Sequence, residues 1–71
     1  MTKEKIIKRV NNWKSTRLAA MFDIYCSNRS EAIVIQSYLK EAGLVGYITH
    51  IGTEIGILLY LNDNKQNTPT I

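Results

Sequence analysis

Residues 28–44 read NRSEAIVIQSYLKEAGL, and their pattern organises the rest of the chain. The Asn28 side chain is suited to accept a bond from an early helical N–H. Glu31, three positions on, is suited to reach back to it, a capping box with Asn in place of Ser or Thr. Ala32, Ile35, Leu39 and Ala42 follow at spacings of three, four and three, one apolar stripe, while Arg29, Gln36 and Lys40 fall on the other side. Gly43 supplies the left-handed residue that closes a helix, and Leu44 is placed to fold back on the last turn. A capped helix with strand-like segments on both sides predicts a small α/β unit.

Upstream, Thr2 is a cap for a first helix. Ile6, Ile7, Val10 and Trp13 give it one apolar face, with Lys5, Lys8, Arg9 and Asn12 around the remainder. A helix of about three turns is marginal alone and must dock on its own domain or on a partner. Asn11 to Thr16 reads as its fraying end and a link. From Leu18 to Cys26 the period becomes two, the repeat of a strand, and neither face is cleanly polar. Such a strand calls for cover on both faces of its sheet; the first helix is the nearest candidate for the second face and another subunit the alternative.

Downstream, Val45–Ile51 and Glu54–Leu61 form two strands joined at Gly52 and Thr53, where Gly in the first central position suits a type II′ turn. In the last strand Ile55, Ile57, Leu59 and Leu61 share the core face. Residues 62–71, NDNKQNTPTI, lack periodicity and predict a disordered polar tail. The expected organisation is a basic amphipathic helix and link at 1–17, a βαββ domain at 18–61 and the tail at 62–71. The fold class is α+β, in the order α-β-α-β-β: half of a ferredoxin-like sheet, three-stranded, with the central helix on one face. The first strand is expected to return through the helix to lie parallel to a neighbour, with the hairpin strand antiparallel. The predicted core is Phe22, Ile24, Ala32, Ile35, Leu39, Ile48, Ile55, Ile57 and Leu59.

The segment from Phe22 to Leu61 resembles a small bacterial family of signal-transducing proteins. The residues that carry the likeness are Tyr25, Ser27, Asn28, Glu31, Ala32, Ile35, Leu39, Glu41, Ala42, Gly43 and Leu44. The family has no settled activity, so the resemblance implies a regulatory binding module without a named ligand. The basic first helix lies outside it.

Composition narrows the function classes. At 71 residues a single core supplies only about 3–5 kcal/mol, which favours oligomerisation as a further source of stability. Cys26 is alone, so no internal disulfide forms. One cysteine and one histidine, His50, do not make a four-ligand metal site, and no cofactor is expected. No apolar run reaches the roughly 20 residues of a membrane span, and charges interrupt the N-terminal segment where a secretory signal needs an apolar stretch. The expected location is cytoplasmic. No glycine loop has the spacing of a nucleotide site, and Cys26 with His50 lacks a third orienting group, so an enzyme is not expected.

Two binding readings remain. Six of the nine basic residues lie in the first seventeen positions. Lys5, Lys8, Arg9, Lys14 and Arg17 suit phosphate contacts, and Tyr25, Tyr47 and Tyr60 suit base stacking, which together make a nucleic-acid reading. RNP-type signatures are missing from it. The better-supported reading is protein binding through Trp13, Met21, Tyr25, Leu58 and Tyr60, bulky side chains of types enriched at interfaces. It predicts a homodimer, or a small regulatory or inhibitor protein of phage or bacterial type that holds a larger host protein.

Overall fold

A computed structural model describes residues 2–64. The order is α1 (Lys3–Thr16), β1 (Met21–Cys26), α2 (Arg29–Glu41), β2 (Tyr47–Ile51), β3 (Glu54–Tyr60) and a closing 3-10 turn, η1 (Leu61–Asn64). This is the expected α+β order.

The caps that define the helices form as their residue types dictate. Thr2 accepts from the Lys5 N–H, and Asn28 Oδ1 accepts from the Glu31 N–H at 2.8 Å. Glu31 reaches back to the Ser27 N–H at 2.7 Å, one residue further than the capping-box reading had it. At the far end Gly43 sits at φ +77°, and the Leu44 N–H donates to the Leu39 carbonyl, which folds Leu44 into the core. α1 is longer than expected. Asn11, Asn12, Ser15 and Thr16 stay helical because the Ser15 and Thr16 hydroxyls donate to the Asn12 and Trp13 carbonyls, satisfying acceptors that a free end exposes.

β1 is shorter than expected. Arg17 closes α1 in the left-handed region at φ 55°, and the Trp13 indole N–H donates to the Ala19 carbonyl at 2.9 Å. These two constraints hold residues 18–20 across the end of α1, leave Leu18 89% exposed, and delay the strand until Met21 meets Tyr60.

The sheet order is β1-β3-β2, with both pairings antiparallel. β1 and β2 therefore run in the same direction, as a helix crossover requires, but they are not neighbours. The hairpin strand β3 inserts between them, which corrects the expectation of a parallel neighbour for β1. At the hairpin, Gly52 alone has positive φ, +67°, as a type II′ turn demands.

Register fixes the two faces. Phe22, Ile24 and Cys26 of β1 lie opposite Leu59, Ile57 and Ile55, with Ile48 on the other side of Ile57. This face carries the core: Ile24, Ala32, Ile35, Leu39, Ile57 and Leu59 are buried, and Phe22, Ile48 and Ile55 pack at its margin. Ile6, Val10 and Trp13 of α1 join the same cluster, and the Trp13 and Phe22 rings lie 5.4 Å apart. Lys3 of α1 pairs with Glu41 of α2 and lies over the Tyr38 ring. Both helices thus lie side by side on one face. α1 does not cover the second face of the sheet, because its apolar stripe is used up against β1 and α2.

The three residues Asn62 to Asn64 are not a disordered tail. Asn64 is 2% exposed; its amide donates to the Val45 and Tyr60 carbonyls and accepts from the Val45 N–H. The rest of the expected tail, residues 65–71, lies outside the described residues.

Candidate functional site

Alternation along three strands puts Met21, Asp23 and Tyr25 of β1, Tyr47, Thr49 and Ile51 of β2, and Glu54, Gly56, Leu58 and Tyr60 of β3 on the face away from the helices. Register then assembles them. Met21 stands opposite Tyr60, Leu58 lies between Asp23 and Tyr47, and Gly56 lies between Tyr25 and Thr49. Met21 is 52% exposed, Tyr25 54%, Tyr47 47% and Tyr60 39%. The Tyr47 and Tyr60 rings are tilted together with centroids 6.0 Å apart.

Gly56 keeps the middle of this face flat. A Cβ there would fall 2.7 Å from the Ile24 carbonyl and 2.6 Å from the Ile51 Cδ1, which folds inward over the glycine. The result is a shallow platform of aromatic and aliphatic surface. No helix of the described residues covers it.

Among the described residues, the charges on this platform are of one sign. The strands contribute Asp23 and Glu54 and no lysine or arginine. Asp63 of η1 adds a third carboxylate, accepting from the Tyr47 hydroxyl at 3.1 Å. That bond and its charge raise the Tyr47 phenol above its ordinary pKa, since ionisation would place two negative groups together. Asp23 has no hydrogen bond or ion pair among the described residues, although it sits between Met21 and Tyr25 on the strand.

Of the residues expected at an interface, Met21, Tyr25, Leu58 and Tyr60 are brought together here, and Trp13 is not. Trp13 is buried at the centre of the α1 contact, because its indole is the largest filler between the helix and Phe22 and its N–H is satisfied by Ala19. It is a core residue. Sequence reasoning missed Asp23, Asp63 and Ile51 as parts of the platform. Period-two alternation flags Asp23 and Ile51, but only the η1 turn brings Asp63 to Tyr47.

The nucleic-acid set divides. Lys5, Lys8, Arg9, Lys14 and Arg17 belong to α1 and its cap, in the helical layer, with Arg9 5.5 Å over the Phe22 ring on the core side of the sheet. The three tyrosines lie on the other side of the sheet. The basic residues and the tyrosines thus lie on opposite sides of the sheet, and the carboxylates Asp23, Glu54 and Asp63 share the side of the tyrosines.

Cys26 and His50 stand on opposite sides of Ile55 across β3. Two strand spacings separate their backbones by about 10 Å, too far for a nucleophile and its base. The thiol is buried, and burial pushes its pKa up, the reverse of activation. Among the described residues no group of His, Cys, Asp or Glu has the arrangement of a metal site, and no helix is long and apolar enough to cross a membrane. An open cleft of about 460 Å³ lies between the end of α2 and the approach to β2, lined by Gln36, Ser37, Lys40, Leu44, Val45 and Gly46. It contains no paired acid and base.

Comparison of the chain with protein-family models, with curated proteins and with solved structures finds no match.

Proposed function

We propose that this chain is a small non-enzymatic regulatory or inhibitory module that acts by binding another protein through the open face of its sheet. One observation carries the reading: Met21, Tyr25, Tyr47, Leu58 and Tyr60 are gathered on one face that no other element of the described residues covers, while both helices pack on the other. A contiguous aromatic and aliphatic surface of this kind is what a monomeric domain normally avoids unless it is a contact site. A homodimer through this face is the second form of the reading, favoured by the small core of a 71-residue chain.

The test is quantitative capture of a partner by wild-type protein and by the double variant Tyr25→Ser, Leu58→Ser, together with the solution mass of each. Both substitutions lie away from the helix-side core. The reading expects a stoichiometric partner, or a dimer mass, with the wild type and its loss in the variant, with the melting temperature little changed. A variant that keeps its partner or its mass removes this face from the function.

A further inference from the structure

We infer that the occupant of the open face is a cationic amphipathic segment of another protein, about one short helix in length, which sets Arg or Lys side chains against Asp23, Glu54 and Asp63. This rests on the protein-binding reading and gives the partner its chemistry. The first support is charge. The chain is formally +3, yet the three strands carry only negative side chains on this face, and Asp63 extends the acidic border beside Tyr47. Asp is a poor strand former, and Asp23 is placed between Met21 and Tyr25, opposite Leu58, without a partner of its own among the described residues. A guanidinium meets both needs of that position at once. It pairs with the carboxylate and stacks its plane on the neighbouring tyrosine.

The second support is size. Three strands about 4.8 Å apart and five to seven residues long make a platform of roughly 14 by 20 Å, on the order of 300 Å² in projection. Charge disfavours a second copy as the occupant, because two such faces laid together would bring six carboxylates together with no strand cation between them. A helix about 10 Å wide and of about 13 residues spans the platform lengthwise.

The probes are two acetylated 14-residue amphipathic peptides of identical Leu and Ala content, one with Arg and one with Glu at every polar position, titrated into the full chain and followed by amide chemical shifts. The Arg peptide is expected to shift Met21, Asp23, Tyr25, Leu58 and Tyr60 and to bind at least about tenfold more tightly than the Glu peptide. Its affinity is expected to fall about tenfold in the Asp23→Asn, Asp63→Asn double variant and to weaken with added salt. Equal binding of both peptides to this face overturns the cationic partner and leaves the protein-binding reading intact. Shifts confined to the helices, or none in the strands, overturn both. A dimer mass with these amides buried assigns the face to a second copy, and saturable shifts of the tyrosines by a 12-nucleotide single strand assign it to nucleic acid; either result overturns the inference.

Discussion

Replacing Asn64 with alanine removes the side chain that ties the end of β3 to the approach of β2. Three hydrogen bonds go, at 2.7 Å from the Val45 N–H and at 3.0 and 2.9 Å to the Val45 and Tyr60 carbonyls. Each is worth about 1 kcal/mol net, and a buried N–H left without an acceptor costs about 1–3 kcal/mol. Water reaches Val45, which is 40% exposed, and recovers part of the loss. The expected destabilisation is therefore about 2–3 kcal/mol, a large share of the roughly 3–5 kcal/mol that a core of this size supplies. With a urea slope of about 1 kcal/mol/M, the denaturation midpoint falls by about 2 M or more at unchanged slope. Asn64→Asp retains the acceptor for Val45 but loses both donors and faces two carbonyls with a carboxylate, so it is expected to fall nearly as far. Amide exchange at Val45 gives the local reading: it accelerates in both variants if the clasp holds that N–H. A midpoint for Asn64→Ala within about 0.5 M of wild type refutes the clasp.

Ile35→Ala truncates a side chain at the centre of the α2 contact and is expected to cost about 2–5 kcal/mol by thermal or urea unfolding; no change would displace α2 from the sheet. Trp13→Ala is expected to cost about 3–5 kcal/mol while leaving the solution mass of the folded fraction unaltered, and a change of mass at intact stability would return Trp13 to an interface. The Cys26 thiol is expected to react with iodoacetamide at pH 8 at least about a hundredfold more slowly in native protein than in urea. Burial raises its pKa above the ordinary 9.0, so the folded state holds the proton more tightly. That contribution to stability is complete below pH 9.0 and is lost as pH rises through the folded value. Wild type should then lose more stability than Cys26→Ala between pH 8 and pH 10; equal losses would show the thiol to be accessible.

Local signals carried most of the architecture. Thr2, Asn28, Glu31 and Gly43 act within three or four residues of themselves, so their effects are written in the sequence beside them; Thr2, Asn28 and Gly43 behave as expected, and Glu31 caps one residue further back, at the Ser27 N–H. Alternation in β3 likewise assigns Ile57 and Leu59 to the core. What sequence could not settle was which element covers which face. An amphipathic α1 is compatible with either side of the sheet, and the choice is made by Trp13 meeting Phe22 across the α1–β1 link and by Lys3 meeting Glu41, thirty-eight residues away. The same holds for the site. Tyr25, Leu58 and Tyr60 were legible as surface candidates, but Trp13 was drawn into the same set because bulk alone does not distinguish an anchor from a core filler. Asn64 was invisible because a lone Asn in a polar run has no periodicity to reveal its burial.

The placement of β3 has a consequence for synthesis of the chain. β1 and β2 have no bond to each other; every ladder they make is to the strand that comes last. A chain ending at Ile51 has neither ladder, because both pairings of the sheet need the residues of β3. The complete sheet therefore requires the chain through Tyr60, and a stop codon anywhere before β3 removes both ladders together rather than trimming one edge.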